Sequence, residues 1–214
     1  MTYFRRRTAL PLAGLIALAA HLFVAAPAAA QNLGALAAEP VSLPDMSLGS
    51  PNAPVTIIEY SSMTCSHCAI FEQNTFPMIK SRYIDTGQVR FVFREFPIDN
   101  NAIGASMMAR CIGNDDPARY FGAVDSLFRQ EDQLVNNAMN TLKWIGSQSG
   151  LSDTEINNCL NDQDLYQKLD ADRKIAADLV KIDQAPTFFI NGRKYLGNMP
   201  ADQMDGIIRS ALRR

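Results

Sequence analysis

Val55-Thr56-Ile57-Ile58-Glu59-Tyr60-Ser61-Ser62-Met63-Thr64-Cys65-Ser66-His67-Cys68-Ala69-Ile70-Phe71-Glu72 begins as a strand and ends as a helix. Val55 to Tyr60 is too evenly apolar for a half-exposed strand and reads as central in a sheet covered on both faces. From Ser66 the period changes. Cys68, Phe71, Thr75, Met78 or Ile79, and Arg82 or Tyr83 recur at spacings of three and four, predicting a helix to about Tyr83 with a kink at Pro77. Cys65-Ser66-His67-Cys68 sits on the junction. A helix N-terminus offers unpaired N–H groups and about half a positive charge, so a cysteine there gives up its proton easily. His67 adds positive charge beside it. Cys68, three residues on, is in reach to close a small disulfide ring.

Other readings of this CxxC are weaker. As half of a zinc site it needs about four ligands in tetrahedral array. The remaining cysteines, Cys111 and Cys159, are single, 48 residues apart, with no second CxxC. As a purely structural bridge it closes too short a loop to constrain the unfolded chain. A dithiol that makes, breaks or shuffles disulfides remains.

The rest of the 214-residue chain fits that chemistry. Residues 1–30 read as a signal peptide: Arg5-Arg6-Arg7, a run of mostly Ala, Leu, Ile and Val, then Ala28-Ala29-Ala30 before Gln31. An uncleaved anchor is the alternative, and the arginine triplet hints at a twin-arginine route. Losing Arg5, Arg6 and Arg7 takes the formal net charge from −2 to −5 and leaves 184 residues, enough for one domain with a sizeable core. A mildly acidic surface argues against nucleic acid as a partner. Of two histidines, His21 and His67, only His67 survives processing. An exported chain with four cysteines belongs where disulfides persist, and a bacterial-type signal makes that the periplasm.

Residues 31–45 read as a flexible lead-in and Met46-Ser47-Leu48 as a short edge strand. After the CxxC helix, Val89 to Phe93 is a second strand. Residues 101–182 are helical throughout, with candidate helices Ala102–Gly113, Pro117–Gln130, Met139–Gly150, Ser152–Cys159 and Gln163–Val180. Pro117 suits a first helical turn, and Ser152 with Glu155 matches a capping box. Strand signals return at Thr187–Ile190 and Arg193–Leu196, joined by Asn191-Gly192 as a two-residue hairpin, and Pro200 to Leu212 closes the chain as a helix. The order gives an α/β domain in two parts, 46–100 and 183–214, interrupted by a helical insertion, 101–182. The nine methionines are scattered and read as core filler.

CxxC at a strand–helix junction, with Ala185-Pro186-Thr187 before a later paired strand, resembles the thioredoxin fold. With the helical block between the halves, the CSHC sequence and the export signal, the chain resembles the DsbA family of periplasmic thiol:disulfide oxidoreductases, alphaproteobacterial type. The runs GSPNAPVTIIEY, CSHCAIFEQNTFP, FVFREFPID and APTFFING carry the likeness from about Met46 to Arg214.

The resemblance implies roles. Cys65 is the nucleophile that forms a mixed disulfide, Cys68 the resolving thiol, and Ser66 and His67 tune the thiolate. Pro186 matches the family's cis-proline, which sets the backbone of Ala185 beside Cys65 for an extended substrate; an ordinary trans proline is the alternative. Relatives often carry Val or Thr where this chain has Ala185. Glu59 matches a family acid that relays protons near the buried thiol, since a carboxylate inside an apolar strand is costly unless hydrated or paired. Glu72 matches a second family acid, or is a solvated helix residue, and Arg94 is a candidate charge partner. Relatives carry a second disulfide, which Cys111 and Cys159 would form; two inert buried thiols is the other reading. No diffusible cofactor is implied. Newly exported or unfolded cysteine-containing proteins are the implied substrates, a membrane quinone-linked protein the implied reoxidant, and a monomer the implied state. An isomerase or reductase on the same fold, and a copper-handling protein using Cys65, His67 and Cys68, are the competing functions.

Overall fold

A strand that is apolar on both sides needs a cover on both sides. In the computed structural model, which describes residues 1, 33–38 and 41–213, the chain supplies one on each face. Residues 2–30, read as most of a signal peptide, and the expected cleavage point before Gln31 lie outside the described residues. Helix α1 is Leu33–Ala38; strands β1 (Met46–Leu48), β2 (Val55–Ser61) and β3 (Val89–Glu95) flank helices α2 (Ser66–Asn74) and α3 (Phe76–Ile79). Then come α4 (Asn100–Gly113), α5 (Pro117–Arg129), α6 (Glu131–Asn136), α7 (Ala138–Gln148), α8 (Asp153–Leu160) and α9 (Gln163–Asp178), followed by β4 (Thr187–Ile190), β5 (Arg193–Leu196) and α10 (Ala201–Leu212). Helix α6 had no sequence signal; it is short and follows α5 directly.

The five strands are ordered β1-β3-β2-β4-β5, with β2 and β3 parallel and the other pairs antiparallel. β2 is central, as its composition requires. Asn191 and Gly192 both take positive φ, 46° and 81°, the conformation of the tight hairpin turn. Alternation along β2 sorts the two cores. Val55 and Ile57 face the larger core with Phe71, Phe91, Phe93, Phe128 and Phe188. Ile58 and Tyr60 face a smaller one with Val92, Ala176, Val180, Ile182 and Phe189. The helical insertion thus serves both faces: α4, α5 and α7 enter the first core and the end of α9 the second.

The helix expected to run to Tyr83 breaks before Pro77. Pro77 has no N–H for the carbonyl four residues back, and the axis is interrupted at Thr75 (φ −110°, ψ −44°), whose Oγ1 donates to Met199 O at 2.9 Å. The chain then runs through α3 and a wide π turn, Lys80–Ile84. The expected buried face survives: Cys68, Phe71, Thr75, Ile79 and Tyr83 are all buried.

The described part of the segment read as a flexible lead-in is held in place. Ser42 and Leu43 N–H groups donate to the Asp172 carboxylate at 2.7 and 3.1 Å. Asp45 takes a bidentate pair from Arg94 at 2.8 and 2.9 Å, and Arg94 also donates to Ala37 O and the Tyr60 hydroxyl. This corrects the expectation that Arg94 partners Glu59 or Glu72. Arg94 stands opposite Tyr60 in the ladder, so it points to the other face of the sheet.

Arg110 forms a second buried pair, bidentate to Glu95 at 2.5 and 2.7 Å, with the Tyr120 hydroxyl donating to Glu95 at 2.6 Å. The next residue, Cys111, is bonded to Cys159 across α4 and α8, with Cα atoms 6.1 Å apart. The capping box at Ser152 and Glu155 and the first-turn Pro117 are present as read.

Candidate active site

Cys65 is the N-cap of α2. Its backbone is extended (φ −96°, ψ 114°), and its Sγ accepts the Cys68 N–H at 3.4 Å, the position a serine or aspartate oxygen fills in other helices. Cys65 is half-buried; Cys68, one turn in, is wholly buried, and the two are unbonded, so this is the dithiol. The environments drive the thiols apart. Cys65 is lowered to about 6, first by the Cys68 thiol and then by the Cys68 and His67 backbone N–H groups, with burial opposing. The charge of His67 is the smallest of these pulls; Ser66 and His67 are exposed. Burial pushes the Cys68 thiol far up, with the charges of Cys65 and Glu59 adding to it. One sulfur is a thiolate at neutral pH and the other is a thiol.

The Ala185–Pro186 peptide is cis. It brings Ala185 O within 3.4 Å of Cys65 Sγ, where the protonated thiol donates to it. Chain positions 120 residues apart are thereby joined at one sulfur.

Glu59 lies beneath, on the face of β2 that looks toward α2. It has no exposed surface, and its register partners on both flanking strands are Phe93 and Phe188. Neither carboxyl oxygen has a hydrogen-bond partner. Burial raises its pKa to about 8; the Ser61 hydroxyl lowers it in part and the Cys65 charge raises it. Ser61 is close enough to pull on both Glu59 and Cys68, yet its Oγ falls short of hydrogen-bond geometry with either. Glu72 is also buried, at 7% exposure, with Oε1 unpartnered. The reading of Glu72 as a solvated helix residue is therefore set aside.

Sequence reasoning missed the brace beneath the Cys65 loop. Asp99 caps α4 through the Ala102 N–H at 2.8 Å and takes the Thr64 hydroxyl at 2.7 Å with its other oxygen. Ser62 Oγ accepts the Ile98 N–H at 3.4 Å. The signal was an aspartate immediately before a helical run; its second bond joins residues 35 apart and leaves no trace in local pattern. Among the described residues no group of three or more His, Cys, Asp or Glu side chains is arranged to hold a metal ion. No helix among them is long and apolar enough to cross a membrane.

Fold and site define the class: a thioredoxin-fold protein with a CxxC dithiol at a helix N-terminus facing a cis-proline. A family model described as thioredoxin matches residues 42–210. The crystal structure of Wolbachia pipientis alpha-DsbA1 superposes with a TM-score of 0.75 at 32% identity, over 80% of this chain and 93% of that one. The chain belongs to the DsbA family. A Rickettsia typhi protein provisionally named a protein-disulfide oxidoreductase is 35% identical over 150 residues, 69% of this chain and 55% of its own length. The chain thus spans little more than half the length of the curated relatives from Rickettsia that it matches. Oxidised BdbD from Bacillus subtilis, at 19% identity and a TM-score of 0.64 over 79% of this chain and 94% of that one, shares the fold.

Proposed function

We propose that this protein is a thiol:disulfide oxidase that passes a Cys65–Cys68 disulfide to newly exported proteins. One observation carries the reading: within a single helical turn, Cys65 is held near pKa 6 while Cys68 is held protonated. A client thiolate attacks Cys65 Sγ of the disulfide. The client–Cys65 bond forms, the Cys65–Cys68 bond breaks, and its electron pair goes to Cys68 Sγ, which takes up a proton. A second client thiolate then attacks the client sulfur of the mixed disulfide, and Cys65 leaves as a thiolate. The client loses two electrons and the protein gains two. A low pKa makes Cys65 a good leaving group and stabilises the reduced form, which makes the disulfide a strong oxidant; DsbA itself is the standard example of this pattern.

In this reading Ala185 lines the extended client segment, Glu59 supplies the proton to Cys68, and Cys111–Cys159 is structural. The domain parts are 46–100 and 183–214 with the insertion at 101–182. The protein works as a monomer in the periplasm after cleavage near Ala30, and a membrane quinone-linked protein reoxidises it. The leader-like residues 1–30 and the family support location and cycle. The test compares oxidation of a reduced, unfolded protein with repair of a scrambled one. Fast oxidation and slow repair support an oxidase; the reverse order supports an isomerase.

A further inference from the structure

The turn that delivers Cys65 is held by two hydroxyl groups. β2 ends at Ser61, and Ser62 to Cys65 close a tight turn in which the Cys65 N–H donates to Ser62 O at 3.1 Å. Ser62, Met63 and Thr64 are all buried. The Ile98 N–H donates to Ser62 Oγ at 3.4 Å, and Thr64 Oγ1 donates to Asp99 Oδ2 at 2.7 Å. With the Thr64 proton committed to a carboxylate, the 3.4 Å contact between the two hydroxyls leaves Ser62 as its donor. The hydrogen-bond chain therefore starts at Ile98 and returns to the next residue, Asp99. One corner of the fold, the link between β3 and α4, clasps the whole turn.

A helix cap alone does not need both oxygens of Asp99. Oδ1 takes the Ala102 N–H at 2.8 Å and caps α4. A serine caps a helix about as well with one oxygen. The second oxygen is what reaches Thr64. The facing wall of the site is held independently. Thr187 Oγ1 donates to Gln184 O at 2.7 Å across the loop that carries the Ala185–Pro186 bond, and β4 joins β2 where Thr187 stands opposite Tyr60. Cys65 Sγ lies between the two supports, 3.4 Å from Ala185 O. A client that lays its backbone along Ala185 and its sulfur against Cys65 Sγ needs both supports fixed at once. A small thiol that meets only the sulfur does not.

We propose that Asp99 is a positioning residue for exchange with peptide clients: through Thr64 it holds Cys65 Sγ at the distance and angle from Ala185 that an extended client requires. This role rests on the reading above in which Cys65 is the attacked sulfur and Ala185 lines the client. Asp99 touches neither sulfur, and no bond or proton of the exchange passes through it. The gain is orientational. For a reactant already bound, misplacing the partner atom by about 1 Å costs up to about 10²-fold in rate. That loss falls on a peptide docked at Ala185 and spares a free thiol, which finds its own approach. The same clasp makes the first turn of the helical insertion part of the site, since α4 begins at the residue after Asp99.

The test is single-turnover exchange of the full-length protein, in its Cys65–Cys68 disulfide form, with a reduced peptide carrying two cysteines and, separately, with 2-mercaptoethanol. Thr64→Val keeps the shape of the side chain and removes the hydroxyl. Asp99→Ser keeps the cap of α4 and removes the second oxygen. Each slows the peptide about tenfold and 2-mercaptoethanol by less than about twofold. Thr64→Ser restores a hydroxyl and returns the peptide rate to within about threefold of wild type. The double variant Thr64→Val, Asp99→Ser is no slower than the slower single one, because both remove the same bond. If one single variant does not fold, the other carries the comparison. A wild-type peptide rate in a folded variant, an equal loss with both thiols, or a Thr64→Ser rate as low as that of Thr64→Val overturns the proposal. Losses that add in the double variant overturn it too, since Asp99 then does not act through Thr64. Wild-type protein that reduces the peptide disulfide but fails to oxidise the dithiol overturns the oxidase reading instead, while the same variants still read the clasp in the reducing direction.

Discussion

The backbone N–H of Cys68 points at the sulfur of Cys65 from 3.4 Å, so the residue that carries the buried thiol also caps the half-buried thiolate. The geometry ties the two pKa values together. A charge on Cys65 gains from this N–H and at the same time makes ionisation of Cys68 harder.

Titrating Cys65 by the rate of alkylation should give a midpoint near 6 in the dithiol form. His67→Ala should raise it only slightly, leaving it below the ordinary thiol value of about 8.5. The imidazole is the smallest of the pulls and the helix N–H groups remain. A midpoint near 8.5 in the variant would show that the histidine charge, not the helix, holds the thiolate.

Stability should depend on pH differently in the two redox forms. Between the folded Cys65 pKa of about 6 and its unfolded value, the unfolded chain binds the extra proton, so Cys65 makes the dithiol form more stable as pH rises. This contribution is lost as pH falls through about 6. With Cys65 and Cys68 joined, the group does not titrate. Thermal unfolding with Cys111–Cys159 intact should therefore show the dithiol form gaining on the disulfide form across that window. A gap that stays constant or narrows would contradict the thiolate assignment.

Glu59 has the opposite sign. Its folded pKa of about 8 lies above the unfolded carboxyl value, so the folded state holds a proton that the unfolded state has lost. Its contribution is fully present below the unfolded pKa and declines as pH rises to about 8. At neutral pH the cost is ~3 kcal/mol as an order of magnitude. Glu59→Leu should then be more stable than wild type near pH 8, with the advantage shrinking toward pH 5, and should slow the step in which Cys68 is protonated. Chemical denaturation at several pH values and single-turnover kinetics check the two halves separately.

Replacing Cys111 and Cys159 together by serine opens a loop of 48 residues. The chain-entropy relation gives a loss of ~4 kcal/mol, less whatever order the unfolded chain keeps. Peptide oxidation by Cys65 and Cys68 should continue in the variant. Urea unfolding and the activity assay report on each. A loss of activity without loss of stability would make this bridge part of the redox cycle.

Breaking the Arg110–Glu95 pair from one side should be worse than removing both charges. Arg110→Met leaves the Glu95 carboxylate buried with the Tyr120 hydroxyl as its remaining side-chain donor, a cost of ~3–5 kcal/mol. The double variant Arg110→Met, Glu95→Gln should recover much of that, which a double-mutant cycle measures.

Most of the fold was legible along the chain because its signals are local. The evenly apolar run of β2 placed it at the centre of the sheet. Asn191-Gly192 fixed the last hairpin, Ser152 and Glu155 fixed the start of α8, and the change of period at Cys65 put the dithiol on a helix N-terminus. The family likeness then supplied Pro186, Glu59 and the partner for Cys111. Helix α6 and the break at Thr75 were not legible, since the first is too short for a periodic pattern and the second depends on Met199, 124 residues away.

What the tertiary structure decided is which charges meet. The sequence placed Glu59 inside one strand and Arg94 just past the end of another. Only the register shows that Arg94 stands beside Tyr60, on the opposite face, where Asp45 receives it. It likewise shows Glu59 between two phenylalanines and Glu72 buried at the α2–α5 seam. Side-chain period and helix capping are properties of neighbours in the chain, which sequence contains. Desolvation and pairing of a charge are properties of neighbours in space, set when strands take one register and not the next, and the chemistry of this site depends on that choice.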